Sequence, residues 1–177
     1  AGDAPVKVEE QDPVNLKAAL AMGRLHDALK ASGYTGHPLE VLLVRLLFCR
    51  FAEDTTLFEP KGAFREYVEG ATHVDGSDLG MHLAALFEVL NTPEEKRQKT
   101  LDERLNAFPY VNGKLFEERL PPAAFDAAMR AALLDCCALD WGRISPAIFG
   151  ALFQSVMDEK LRRNLGAHYT SEANILK

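Results

Sequence analysis

The chain has 177 residues, 47% of them hydrophobic, and a net charge of −6 at pH 7, which is enough sequence for one domain with a proper core. No apolar run approaches the roughly 18 residues of a membrane-spanning helix, and the acidic balance excludes a surface that is basic all over. Three cysteines, two of them adjacent at Cys136 and Cys137, make no disulfide framework, so a reducing cytoplasm is the natural compartment.

Residues 1–12 are small, polar and acidic and read as a flexible arm, without the basic and apolar regions of a signal peptide. Asp12-Pro13 is a helix-start signal. A helix to about Ser32 places Ala18, Met22, Leu25 and Leu29 on one face, and Gly33 ends it. Pro38 opens a second helix through about Glu53. Leu39, Leu42, Leu43, Leu46, Leu47 and Phe51 make that helix apolar over much of its circumference, which predicts a central position. Arg45 and Arg50 interrupt it. They read as paired or snorkelling arginines at a core edge, with DNA contact as the weaker alternative.

A short helix over Ala63 to Glu69 carries Phe64, Tyr67 and Val68. Ser77 or Asp78 caps a helix through about Leu90, with Leu79, Leu83, Leu86, Phe87 and Leu90 inward. Thr92-Pro93-Glu94-Glu95 has the form of a capping box and predicts a short charged helix. Around Val111-Asn112-Gly113-Lys114 the helical pattern breaks, and Asn-Gly between apolar residues predicts a small β-hairpin over 110–116. Pro121-Pro122 opens a helix whose Phe125, Met129, Ala132, Leu133 and Cys136 face the core. The expected fold is all-α, an irregular bundle of six or seven helices with that one hairpin.

Several chemistries are missing from the pattern. None of the 12 glycines stands two positions from another, so the glycine-rich turn of a nucleotide or S-adenosylmethionine site is absent. No cysteine or histidine spacing suggests a metal, and no nucleophile–base arrangement is legible. No catalytic residue is assigned.

The last stretch, Trp141 to Lys177, carries the most information. Ser145 and Pro146 open a helix in which Ile148, Phe149, Leu152, Phe153, Val156 and Met157 form one apolar face. Lys160, Arg162 and Arg163 fall in its last turn, where cations complement the helix dipole. Gly166 is the expected stop, and Ser171 caps the start of another helix. Residues 160–177 hold four cations against Glu172, a net of +3, so the preceding residues carry −9. Any contact with nucleic acid is therefore expected near this end; Arg162 and Arg163 read first as dipole compensation, with contact to phosphate or to a neighbouring domain as the alternative.

The patterns Ile144-x-Pro146-x-Ile148-Phe149-Gly150-x-Leu152-Phe153-Gln154 and Arg162-Arg163-x-x-Gly166-x-His168-Tyr169-Thr170-Ser171-Glu172-x-Asn174-Ile175 resemble the lead-in to the methyltransferase domain of fused restriction–modification enzymes of the MmeI kind. The resemblance is strongest over about 140–177 and weaker over Arg45-Leu46-Leu47-Phe48 and Phe108-Pro109-Tyr110-Val111-Asn112-Gly113. It implies a helical spacer over 13–165 and the beginning of a methyltransferase domain over 166–177, both parts of a longer polypeptide. The parent would be an S-adenosylmethionine-dependent, adenine N6-specific DNA methyltransferase, in some forms fused to a restriction endonuclease. The spacer would position domains on DNA. Gly166, His168, Tyr169 and Thr170 would form one edge of the cofactor pocket, with free N–H groups at the new helix start suited to a carboxylate. On the residues alone, the same turn reads as a plain joint whose aromatic packs, and His168 reads as packing or capping. The segment by itself lacks the Asn-Pro-Pro-aromatic motif that holds a flipped adenine. The implied partners are the rest of the polypeptide and, through it, DNA; no membrane contact is expected. The rival reading is a non-enzymatic helical protein-interaction module.

Overall fold

The computed structural model describes residues 13–137 together with the helical positions Ala147, Gly150, Ala151 and Gln154. In order these are α1 (Pro13–Ala31), α2 (Gly36–Asp54), α3 (Ala63–Ala71), α4 (Leu79–Leu90), a 3-10 turn (Glu94–Lys96), α5 (Glu103–Asn106) and α6 (Ala127–Cys137). No strand occurs among the described residues, and the fold is all-helical. The four isolated positions fall inside the helix expected after Pro146. The remainder of that helix, including Phe149 and Phe153, lies outside the described residues.

Helix α1 buries Met22, Leu25 and Leu29 completely and lies along α6, its principal neighbour. It ends as its glycine foretold. Gly33 has φ 105°, its N–H bonds the Lys30 carbonyl at 3.1 Å, and the Tyr34 N–H reaches back to the Leu29 carbonyl at 3.0 Å. This left-handed closure satisfies carbonyls that the helix end would otherwise orphan. Helix α2 is the central element, with Leu39, Leu42, Leu43, Leu46, Leu47, Cys49 and Ala52 all buried.

A continuous chain of aromatic contacts holds α3, α4 and the connecting segments to α2. It runs from Tyr67 to Phe108 at 5.9 Å, Phe108 to Phe58 at 5.3 Å, Phe58 to Phe48 at 6.1 Å, Phe48 to Phe116 at 5.7 Å and Phe116 to Phe87 at 5.5 Å. All but the last pair are edge-to-face, the arrangement that ring quadrupoles favour. Six rings thus connect α3, the end of α5, the loop after α2, α2 itself, the 115–118 turn and α4.

Three expectations are corrected. The hairpin at 110–116 is not formed. A type I′ turn needs positive φ at both Asn112 and Gly113, and among the described residues Thr56 is the one non-glycine with positive φ. The Val111 N–H instead bonds the Leu90 carbonyl at the end of α4 at 2.8 Å, and the chain turns later, with the Glu117 N–H on the Lys114 carbonyl at 3.2 Å. Helix α6 starts at Ala127, not at the prolines. A proline disfavours helical geometry in the residue before it, and the effective cap is Asp126, whose carboxylate accepts from the Met129 N–H at 2.8 Å. Finally, Thr92 does not cap a charged helix: its hydroxyl donates back to the Glu88 carbonyl at 2.6 Å, and only the 3-10 turn follows.

Residues 115–125 therefore run as a strap across α4. The strap lies so close that a β-carbon at Gly80 would sit 1.9 Å from the Ala123 carbonyl oxygen, and one at Gly76 would sit 2.4 Å from that of Asp126.

Candidate functional site

The described body is organised by arginines that bond backbone carbonyls. Arg50, buried on α2, pairs with Glu53 one turn on. Its Nε and Nη2 donate to the carbonyls of Cys136 at 3.3 Å and Cys137 at 3.1 Å. It thereby ties the central helix to the last turn of α6, where carbonyls have no intrahelical partner. Arg130 does the same for α3: its Nε donates to the Thr72 hydroxyl at 2.9 Å and its Nη2 to the Glu69 carbonyl at 3.3 Å. Arg45 donates from Nε to the Leu115 carbonyl at 2.9 Å and from Nη2 to the Glu118 carbonyl at 2.7 Å. It lies against the rings of Phe87 and Phe116, 5.3 and 5.5 Å from their centroids, a cation–π arrangement. The paired-arginine reading of Arg45 and Arg50 is the one the structure supports.

Arg97 and Arg130 have similar roles and were not singled out in the sequence. The partners of Arg97 are the carbonyls of Val89, Thr92, Asn106 and Phe108, and a carbonyl leaves no mark on a sequence pattern.

Two clusters carry titratable groups. The Tyr67 hydroxyl meets His82 Nδ1 at 3.0 Å, and Asp78 lies 3.5 Å from His82 Nε2 and 3.7 Å from His73 Nε2. Burial, with Asp102 nearby, pushes the Tyr67 phenol up to about 12. Cys49, Cys136 and Cys137 are free and buried. Burial raises all three thiols, Cys136 and Cys137 to about 12, against the opposing pull of Arg50, which makes them poor nucleophiles. Among the described residues no group of three His, Cys, Asp or Glu side chains is placed to hold a metal ion, and no helix is long and apolar enough to cross a membrane.

The residues expected at the cofactor edge, Gly166, His168, Tyr169 and Thr170, lie outside the described residues, as do Arg162 and Arg163, expected at DNA. What is described is the platform before them. Arg50 fixes the final turn of α6, and helical positions reappear at Ala147, Gly150, Ala151 and Gln154, with Ala151 half-buried.

Residues 37–116 match the description of the MmeI helicase spacer domain. DNA methyltransferase A of Bacillus subtilis (strain 168) is 39% identical over 180 residues, spanning 99% of this chain and 20% of the relative. A solved structure of the Type IIL restriction–modification enzyme MmeI in complex with DNA is 72% identical, with a TM-score of 0.77, over 94% of this chain and 22% of that one. The chain thus spans about one-fifth of the length of the relatives it matches.

Proposed function

We propose that this chain, which is similar to the MmeI helicase spacer domain, serves as the helical spacer of a larger site-specific DNA adenine N6 methyltransferase. In this reading the parent transfers a methyl group from S-adenosylmethionine to an adenine flipped out of the duplex. A restriction nuclease is fused in those forms that also cleave. The observation that carries the reading is the 72% identity and shared backbone with MmeI over 94% of this chain.

The spacer's work is mechanical. Domains of one polypeptide keep a fixed relation only when the element between them does not open locally. Here the central helix is cross-linked to the end of α6 by Arg50 and to the strap by Arg45, so the chain leaves a rigid body. Gly166, His168, Tyr169 and Thr170 then supply one edge of the cofactor pocket, with backbone N–H groups and the Thr170 hydroxyl meeting the cofactor carboxylate. Arg162 and Arg163 meet phosphate. S-adenosylmethionine is bound by the parent and not by this segment alone, since one edge of a pocket cannot bury a ligand.

Labelled methyl transfer to DNA tests the reading. The intact parent is expected to methylate adenine N6, and the isolated 177-residue chain to be inert. An intact parent without adenine methylation, or a purified chain with it, overturns the assignment.

A further inference from the structure

We propose that the cleft between α2, α4 and the 115–125 strap binds a small apolar carboxylate through Arg45. The cleft has a volume of about 190 Å³ and is lined by Leu42, Leu83, Phe87, Phe116 and Phe125 on its apolar side, with Arg45, Arg119, Glu88 and Glu118 as its charged walls. A cavity of roughly 150 Å³ with similar walls accommodates a benzene ring, so one aryl or short alkyl group fits with a carboxylate attached.

The arginine argues for the charge. Arg45 is only 3% exposed, and a guanidinium stays ionised in a protein. A buried charge is costly without a counter-charge, and Arg45 has no close ion pair among the described residues, only the longer-range pull of the Glu118 carboxylate. Glu118 gives Arg45 its backbone carbonyl but turns its carboxylate to His37 Nε2 at 2.7 Å. Glu88, which also lines the cleft, pairs with Arg119 at 3.4 Å, which offsets its repulsion of an incoming anion. Two of the five guanidinium N–H groups are spent on the carbonyls of Leu115 and Glu118. No hydrogen bond among the described residues engages Nη1. The remaining donors form a fork of the kind that takes a carboxylate in bidentate fashion. The rings of Phe87 and Phe116 lie together against one side of the guanidinium, and with the two carbonyl bonds they orient the fork, so little rotamer freedom remains to be lost on binding.

Calorimetric titration of the whole chain with phenylacetate, and with its neutral isostere phenylacetamide, tests this. The carboxylate is expected to bind roughly ten- to a hundredfold more tightly than the amide, the ratio that one charge-assisted hydrogen bond supplies. Ala84→Phe, which fills the cleft from its half-buried α4 wall, should abolish binding while the melting temperature is kept. Magnetisation transfer from the ligand ring to Phe87 and Phe116 should locate the ligand in the unmutated chain, whatever becomes of the variant. Equal affinity for acid and amide overturns the role of Arg45. No binding of phenylacetate, or binding without contact to those two rings, overturns the site.

Discussion

The Nη1 group of Arg97 donates to the carbonyl of Phe108 at 2.8 Å, and this bond ties the loop between α4 and α5 to the segment that follows α5. The same guanidinium reaches the carbonyls of Val89 and Thr92, each at 3.1 Å, and of Asn106, also at 3.1 Å. One half-buried side chain thus satisfies the carbonyl ends of two helices and fixes Phe108, a member of the aromatic chain. Arg97→Ala is expected to destabilise the fold by about 3 kcal/mol, within the range for removing hydrogen bonds to a charged group. Arg97→Lys should recover only part of that, because an ammonium cannot span several carbonyls as a planar fork does. Urea titration of both variants measures it. Equal stability of Arg97→Ala and the parent chain would make the clamp decorative.

Arg50 poses a sharper energetic question because it and Glu53 are both almost fully buried. Arg50→Ala leaves the Glu53 carboxylate without its partner and should cost about 3–5 kcal/mol. The double change Arg50→Met with Glu53→Leu removes both charges and keeps apolar volume. It should be more stable than the single change, although the carbonyls of Cys136 and Cys137 still lose their donor. If the double variant is the less stable of the two, the Glu53 carboxylate left by the single change is satisfied by the Arg65 N–H, which it accepts at 2.9 Å, and the lone charge is not what makes that change costly.

Two glycines in similar company should behave oppositely. At Gly80 an added methyl meets the Ala123 carbonyl oxygen at 1.9 Å. The strap must then move, and overpacking of this kind costs roughly 1–3 kcal/mol or more. At Gly70, inside α3, an added methyl meets nothing within 4 Å. Gly70→Ala should stabilise by about 0.5–1 kcal/mol through helix propensity. Melting temperatures of the two variants should move in opposite directions.

The helix faces were legible because burial imposes a period: Met22, Leu25 and Leu29, or Leu79, Leu83, Leu86 and Leu90, recur at the spacing that one wall of a helix requires. The strap was not. Pro121-Pro122 announced a helix start, but the packing of Phe125 and the closeness of Gly80 hold those residues extended. Asn112-Gly113 announced a hairpin, but a free carbonyl at the end of α4 captured Val111. In each case a contact distant in the chain overrode a local preference. The resemblance at Asp140 to Lys177 pointed to the family. The roles it implies for Gly166 through Thr170 concern residues outside those described, so mutation of the parent has to decide them.

The buried thiols give a pH dependence whose sign follows from their direction. Burial raises Cys136 and Cys137 to about 12, so the folded chain keeps protons that the unfolded chain releases near the ordinary thiol value of about 8.5. Their contribution is present in full below that value and is lost as pH rises toward about 12. Thermal melts should fall progressively above about pH 8.5. Iodoacetamide at that pH should label neither cysteine until denaturant is added, because the thiolate is the reactive form. Rapid labelling of the native chain would mean that the end of α6 opens far more readily than its bonds to Arg50 imply.

The proposed cofactor edge separates from the proposed DNA contact by mutation in the intact parent. If the Thr170 hydroxyl meets the carboxylate of S-adenosylmethionine, Thr170→Ala removes one hydrogen bond to a charged group. Such bonds are worth about 1.5–3 kcal/mol, so cofactor affinity should fall roughly ten- to a hundredfold. Tyr169→Ala should weaken it too, through lost contact area, and DNA binding without cofactor should be unchanged, since neither residue is charged. Arg163→Ala should show the reverse: weaker DNA binding, a salt dependence shallower by about one unit of slope, and normal cofactor affinity. Cofactor titration of Thr170→Ala in the full-length protein decides between an edge and a joint. Wild-type affinity there leaves Gly166 to Ser171 as a joint only, and the cofactor assignment of its residues falls.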